Sequence, residues 1–272
     1  AESLAHISDL RGDDIDRFTS AFRQLAGTIH QQVEQLRSSE QLRRTFLANV
    51  SHDLKTPLST IQVALEGIAH DGDAHDRSAY DAQIALNECR RLAALVDQLL
   101  ELASLDASQV ARHDEPFQIA DLLQDVAQKY EVLQRNSKVA VYAEYDRDLP
   151  LVFADIDLIE RVLSNLVDNA LRYSPPEGAV RIRASLARDQ AVLVEVLDSG
   201  PGIPPAERAA VFERFYRGPA AGNCSRSSGL GLSIVKGILD LYGATISVES
   251  ANGGGSRFSF QLKVAKAPRA ER

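Results

Sequence analysis

The 272-residue chain contains no methionine, no tryptophan and only two cysteines, Cys89 and Cys224. Two thiols so far apart match no metal-ligand or redox spacing, and they fit a reducing compartment in which they stay free and inert. No run approaches the roughly 18 consecutive apolar residues that span a bilayer, and no signal peptide opens the chain, so it is expected to be cytosolic in character. The missing first methionine fits either a processed start or a piece of something longer. Positive charge is also in short supply. Thirty Lys and Arg stand against 38 Asp and Glu, and the resulting net charge of −8 excludes a sequence-independent nucleic-acid binder, which needs a basic face.

What is present is apolar content enough for real cores: 44% hydrophobic residues with 25% charged, in a length that holds one large domain or two ordinary ones. In residues 14–36 the apolar positions Ile15, Phe18, Phe22, Leu25 and Ile29 alternate steps of three and four, the spacing of a coiled-coil seam. Val33 and Leu36 follow with a stutter. A second helical stretch, 41–69, carries Leu47, Val50, Leu54, Leu58, Ile61, Leu65 and Ile68 on one stripe. The turn-rich "HDGDAHD" (70–76) interrupts it, and 77–106 resumes the pattern with Leu92, Leu95, Leu99 and Leu102. Such a hairpin is too thin to bury both stripes, whereas two hairpins paired in a homodimeric antiparallel four-helix bundle bury them.

Past the linker-like "ASQVARHDEPF" (107–117) the texture turns to α/β. Helices are expected over 118–135, 155–173 and 232–242, and strands over 138–145, 180–187 and 191–197, with a terminal hairpin of "TISVES" and "RFSFQLKV".

Certain residues work against the elements that hold them. On the stripe through Val50, Leu54 and Ile61, His52 falls on the opposite, water-facing side, with Asp53 adjacent and Thr56 one turn on. An imidazole in water has a pKa of about 6.5, so near neutrality it is largely unprotonated and nucleophilic, and a neighbouring carboxylate can direct its free nitrogen outward. Pro57 removes a helical hydrogen bond and is expected to bend the helix there. Asn165 and Asn169 share one helical face, where paired amide oxygens suit a hard cation such as Mg2+. "AVLVEVLDSGPGI" is a buried-looking strand ending at Asp198, beside Gly200 and Gly202. A carboxylate there can accept hydrogen bonds from a planar amine. "SSGLGLSIV" places Gly229, Leu230, Gly231 and Leu232 at a helix mouth, where unpaired N–H groups and the dipole favour phosphate.

Taken together, these segments make the chain resemble the cytoplasmic core of a sensor histidine kinase of the two-component type. "FLANVSHDLKTPL" resembles its phospho-acceptor box, "NLVDNALRYS" its asparagine box and "DSGPGI" its first glycine box. "VFERFYRG" resembles the phenylalanine box, "GLGLSIV" the second glycine box and "GGGSRFSF" the closing one. Residues 1–38 resemble the end of a HAMP signal-relay module. The resemblance implies a relay helix over 1–38, a dimerisation and phosphotransfer domain over 39–108, a linker over 109–117, an ATP-binding α/β sandwich of the histidine kinase and Hsp90 type over 118–266, and a tail over 267–272. Membrane attachment is then implied only through upstream segments.

It further implies that His52 attacks the γ-phosphate of ATP, that Asp53 orients and deprotonates the imidazole, and that Thr56 positions water for dephosphorylation of the partner. That partner is a response regulator, which receives the phosphoryl group on an aspartate. Asn165 and Asn169 are implied as magnesium ligands and Asp198 as acceptor of the adenine amine, with Gly200 and Gly202 letting backbone approach the ring. Tyr173 lines the adenine pocket, and Arg172, Arg214 and Arg217 lie near phosphate. Related ATP-hydrolysing proteins of this fold carry a glutamate near Asn165, where an amide cannot activate water. One departure stands out: Ser227 replaces a glycine usual in the second glycine box, next to an expected mobile lid over 218–228. The rivals are a kinase-like scaffold without activity, an ATPase or chaperone of the same nucleotide fold, and a protein in which phosphatase action dominates.

Overall fold

A computed structural model describes residues 2–70, 75–107, 110–133, 139–187, 191–218, 228–251 and 254–265. The chain divides into two compact units, residues 1–56 and 57–272. Helix α1 (Glu2–His70) is continuous, so the two helical stretches expected before residue 70 are one helix, and Pro57 sits inside it without ending it. Nothing in "SSEQ" at 38–41 breaks a helix, and a proline with a helix built on both sides costs one hydrogen bond, not the element. In unit one, Phe22, Leu25, Ile29 and Leu47 are all exposed. The side chains of Ile15, Phe18 and Leu36 lie outside the described residues, as do residues 71–74 of the break expected over 70–76.

Unit two contains α2 (His75–Asp106), which matches the expected span within two residues. It continues with β1 (Glu115–Phe117), α3 (Ile119–Leu133), β2 (Ala140–Tyr145), β3 (Val152–Ala154), α4 (Ile156–Tyr173), β4 (Ala179–Leu186) and β5 (Ala191–Leu197). A 3₁₀ turn (Ala210–Phe212), α5 (Gly231–Leu241), β6 (Ser247–Ser250) and β7 (Ser256–Lys263) complete it. The main sheet runs β2-β4-β5-β7-β6, with β2 parallel to β4 and every other pair antiparallel.

Period-two patterning builds this sheet. Val180, Ile182 and Ala184 of β4, Val192, Val194 and Val196 of β5, and Phe258, Phe260 and Leu262 of β7 are all buried. Register places Val194 opposite Phe260 and Val196 opposite Phe258. Buried residues of α3, α4 and α5 complete that core, among them Leu123, Ile159, Leu163, Leu166, Ile234 and Ile238. Each fully buried side chain of this size contributes about 1.5–3 kcal/mol. The other face stays polar: Arg183 binds Glu144 at 2.7 Å, and Arg257 pairs with Glu195 and Glu249.

Two strands of three residues each are too short to show a period. β1 and β3 form an antiparallel ribbon, Glu115 opposite Ala154 and Phe117 opposite Val152. Part of the segment expected as linker is therefore a strand of the α/β unit. Its approach is pinned as well, because Asp155 accepts the His113 N–H at 2.7 Å while capping α4 through Asp157 and Leu158 N–H.

Candidate functional site

In unit one, the His52 side chain is 78% exposed and that of Asp53 only 13%. Nδ1 of His52 stands 3.3 Å from Oδ1 of Asp53. A carboxylate on that nitrogen holds the tautomer in which Nε2 carries the free lone pair, facing water. Thr56 is exposed too, and its hydroxyl donates to the His52 carbonyl at 3.1 Å. Helical spacing alone produces this cluster: residues 52 and 56 share a face, and 53 leans toward the packed side.

The second site is a cavity in the α/β unit. Asn165, Asn169, Arg172, Tyr173, Asp198, Gly202, Arg217, Gly229, Gly231 and Leu232 all line it. Helix α4 supplies four of these because its apolar residues Val162, Leu163, Leu166, Val167 and Ala170 face the core, leaving the opposite stripe to the cavity. Asn165 donates through Nδ2 to the Arg161 carbonyl at 2.9 Å. Its Oδ1 lies against the start of α5, where a Cβ on Gly231 would stand 3.0 Å from it. A side chain at Gly231 would crowd the very oxygen the cavity presents.

At the end of β5, Asp198 is 8% exposed. Its Oδ1 accepts the Gly200 N–H at 2.7 Å and the Ser256 N–H at 3.0 Å. Burial pushes its carboxyl above the ordinary aspartate value, while the hydrogen bonds from Ser256 and Gly200 pull the other way. The glycines around it are steric necessities. A Cβ on Gly255, at φ +90°, would sit 2.0 Å from the Asp198 carbonyl oxygen, and one on Gly200 would sit 3.0 Å from the Tyr173 carbonyl oxygen. The first and last glycine boxes, more than fifty residues apart, thus close on one carboxylate.

At the far wall, α5 begins without any side-chain cap, so its first-turn N–H groups are left for a ligand. Gly229 adopts φ +69° against Phe215, which itself has φ +59°, and the Phe215 N–H donates to the Gly229 carbonyl at 2.9 Å. This pair joins the phenylalanine box to the second glycine box.

Three expected residues stand apart from the cavity lining. Gly200 acts through its N–H on Asp198, Leu230 is fully buried beneath the start of α5, and Arg214 pairs with Asp106 at the end of α2. Residues 219–227, which include Ser227 and most of the expected lid, lie outside the described residues. Sequence reasoning missed Gln98, Asp168, Ile203, Glu207, Tyr216, Ser228 and Ser256, all of which line the cavity. Asp168 and Ser256 lay inside recognised boxes and were legible by position. Gln98 gave no signal, because it arrives from α2 to accept the Ser228 hydroxyl at 2.7 Å.

Two stretches of the chain match known families: residues 42–108 the His Kinase A (phospho-acceptor) domain, and residues 154–266 the histidine kinase-, DNA gyrase B-, and HSP90-like ATPase. The sensor histidine kinase TmoS of Ectopseudomonas mendocina is 33% identical over 236 residues, covering 86% of this chain. The chain spans less than two thirds of the curated relatives it matches, 24% in the case of TmoS. Among solved structures, histidine kinase ThkA in complex with response regulator protein TrrA aligns with TM-score 0.66 and 26% identity, over 81% of this chain and 61% of that one. Full-length ShkA in complex with AMPPNP aligns with TM-score 0.61 and 26% identity, over 84% and 47%. With both domain matches in this order, the chain belongs to the two-component sensor histidine kinases, of whose core it carries the phospho-acceptor and ATP-binding domains.

Proposed function

We propose that the protein is an ATP-dependent protein-histidine kinase that phosphorylates itself on His52 and passes the phosphoryl group to an aspartate of a response regulator. The observation that carries this is the exposed imidazole of His52 backed by the nearly buried Asp53 at 3.3 Å, in a chain that also holds a nucleotide-type cavity. Asp53 accepts the Nδ1 proton as Nε2 attacks the γ-phosphorus, and the bond from that phosphorus to the oxygen bridging the β-phosphate breaks, releasing ADP. Asp198 accepts the adenine amine beside Gly200 and Gly202, with Tyr173 along the ring. Gly229, Leu230, Gly231 and Leu232 present the start of α5 to phosphate, and Arg172, Arg214 and Arg217 are the cations nearest in role. Phosphoryl transfer asks for position and charge neutralisation, which this inventory supplies.

The donor chemistry fits magnesium: Asn165 offers an amide oxygen at the mouth of α5 and Asn169 a second one turn on, with no thiol or imidazole among the described residues of the lining. Among the described residues no group of three or more His, Cys, Asp or Glu could hold a metal ion. When bound, magnesium neutralises phosphate charge.

Exposed apolar side chains in each unit, Phe22, Leu25 and Ile29 in the first and Leu58 and Leu65 in the second, support a homodimer. The domain limits proposed are a HAMP-like relay over 1–38, the dimerisation and phosphotransfer domain over 39–108, a linker over 109–117, the ATP-binding domain over 118–266 and a tail over 267–272. No helix among the described residues is long and apolar enough to cross a membrane, so an inner-membrane location rests on upstream segments. A second reading, dephosphorylation of the regulator, is favoured by the exposed Thr56 hydroxyl one turn from His52.

Incubation with γ-labelled ATP and magnesium tests the proposal. Acid-labile label is expected on the protein and absent from His52→Gln, and it should move to a receiver domain. Steady phosphate release with no stable phosphoprotein would instead mark an ATPase. A nucleotide-bound but never labelled protein would mark a scaffold. Loss of regulator dephosphorylation in Thr56→Ala tests the second reading.

A further inference from the structure

Between Asn165 and Asn169 the cavity face of α4 carries Asp168, an exposed carboxylate. Its natural helical partner is Arg172, four residues on, yet no ion pair joins them among the described contacts. Asp168 instead accepts, through Oδ1, the hydroxyl of Tyr130 on α3 at 2.7 Å. The Tyr130 ring is buried, and its hydroxyl also lies 3.2 Å from the Ser164 carbonyl, on the same helix as Asp168. Burial raises the Tyr130 pKa well above that of a free phenol, with Asp168 adding to the effect, so the hydroxyl remains a neutral donor at any working pH. A buried tyrosine on a different element is thus committed to fixing an exposed carboxylate at the nucleotide cavity.

Among the described residues three carboxylates line that cavity. Asp198 is held by backbone N–H groups and Glu207 accepts the Tyr216 hydroxyl, while Asp168 alone sits on α4 beside the amide pair. Amides bring oxygen but no charge. Mg2+ binds few protein groups directly and keeps several waters, whose protons need acceptors. A pinned carboxylate beside two amide oxygens meets that need, whereas a carboxylate facing bare triphosphate repels it.

We propose that Asp168, anchored by Tyr130, is a further positioning residue of the nucleotide site, accepting hydrogen bonds from the water shell of the magnesium ion that Asn165 and Asn169 hold. This rests on the magnesium reading of those two amides. Its signature is a change of sign: Asp168 favours nucleotide when the metal is present and opposes it when the metal is absent.

The test is equilibrium binding of a fluorescent ATP analogue to the full chain, titrated with Mg2+ and repeated in EDTA. Asp168→Asn is expected to weaken binding about tenfold in saturating Mg2+, the scale of a lost charge-assisted hydrogen bond, and to strengthen it in EDTA. Tyr130→Phe keeps the ring packed and should show the same crossing with a smaller amplitude. If Asp168→Asn shifts affinity by one factor in both conditions, the inference is wrong. A wild type whose affinity ignores Mg2+ would overturn the amide-pair reading and this inference together. A wild type that needs Mg2+, an Asn165→Ala variant that loses the requirement and an unaltered Asp168→Asn would overturn this inference alone.

Discussion

Glu101 on α2 grips Arg161 on α4, Oε1 to Nε at 2.6 Å, one turn before the cavity residue Asn165. The same stretch of α2 makes two more polar contacts with the ATP-binding domain, Gln98 to Ser228 and Asp106 to Arg214. Leu102 and Leu105 are buried between them, and Leu105 packs so closely on α5 that a Cβ on Gly237 would stand 3.2 Å from it. Helix α2 therefore touches the asparagine-box helix, the phenylalanine box and the residue just before the second glycine box.

The Glu101–Arg161 pair has a pH signature. Burial, the largest effect, raises the Glu101 carboxyl above 4.5 against the opposing pull of Arg161, and Oε2 is buried without a partner. A raised carboxyl means the folded protein binds this proton more tightly than the unfolded chain. The stabilisation is complete below the ordinary value and is lost as pH rises through the raised one. Glu101→Gln mimics the protonated form and keeps an acceptor for Arg161. Its melting temperature should exceed wild type at pH 7, with the gap closing as pH approaches 4.5; the reverse ordering at pH 7 would show that the ion pair outweighs desolvation.

Asp198→Asn replaces one acceptor oxygen of the proposed adenine contact by a donor. Calorimetry should show nucleotide affinity reduced about ten- to a hundredfold, the range for a hydrogen bond to a charged group. In the wild type, affinity should decline with acid at a pH above that of an ordinary aspartate, because burial raises this carboxyl. The Asn variant should lose that acid limb.

Gly255→Ala drives a methyl into the Asp198 carbonyl at a backbone angle that alanine resists. The expected loss is more than about 2 kcal/mol by denaturant titration, together with loss of nucleotide binding. Gly254→Ala is the control: it shares a positive φ, but its Cβ would meet nothing within 4 Å, so only the backbone term remains.

Asp53→Asn leaves the helix intact and removes the charge beside His52 Nδ1. Autophosphorylation should slow about a hundredfold, the lower range for a positioned acid–base group, with nucleotide affinity unchanged. Pro57→Ala restores a backbone N–H directly after Thr56 and is expected to change the ratio of kinase to phosphatase activity in paired assays; an unchanged ratio would count against a role for the proline in domain movement.

The sequence alone determined which faces are apolar and which short boxes carry the candidate site residues, because both are local. The period of α4 places Asn165, Asn169 and Arg172 on one stripe, and helical spacing suffices to set Thr56 over His52. The alternation in β4, β5 and β7 likewise foretold a sheet buried on one face. Tertiary structure decided what lies across from those faces. That β1 pairs with β3, that Gly255 closes on Asp198, that Gln98 of α2 reaches the cavity beside α4, and that Tyr130 takes Asp168 where Arg172 was the local choice are contacts between distant segments. Periodicity tells a side chain which way to face; only the packed chain settles which partner it meets there, since that depends on the relative placement of whole elements and not on spacing along one of them.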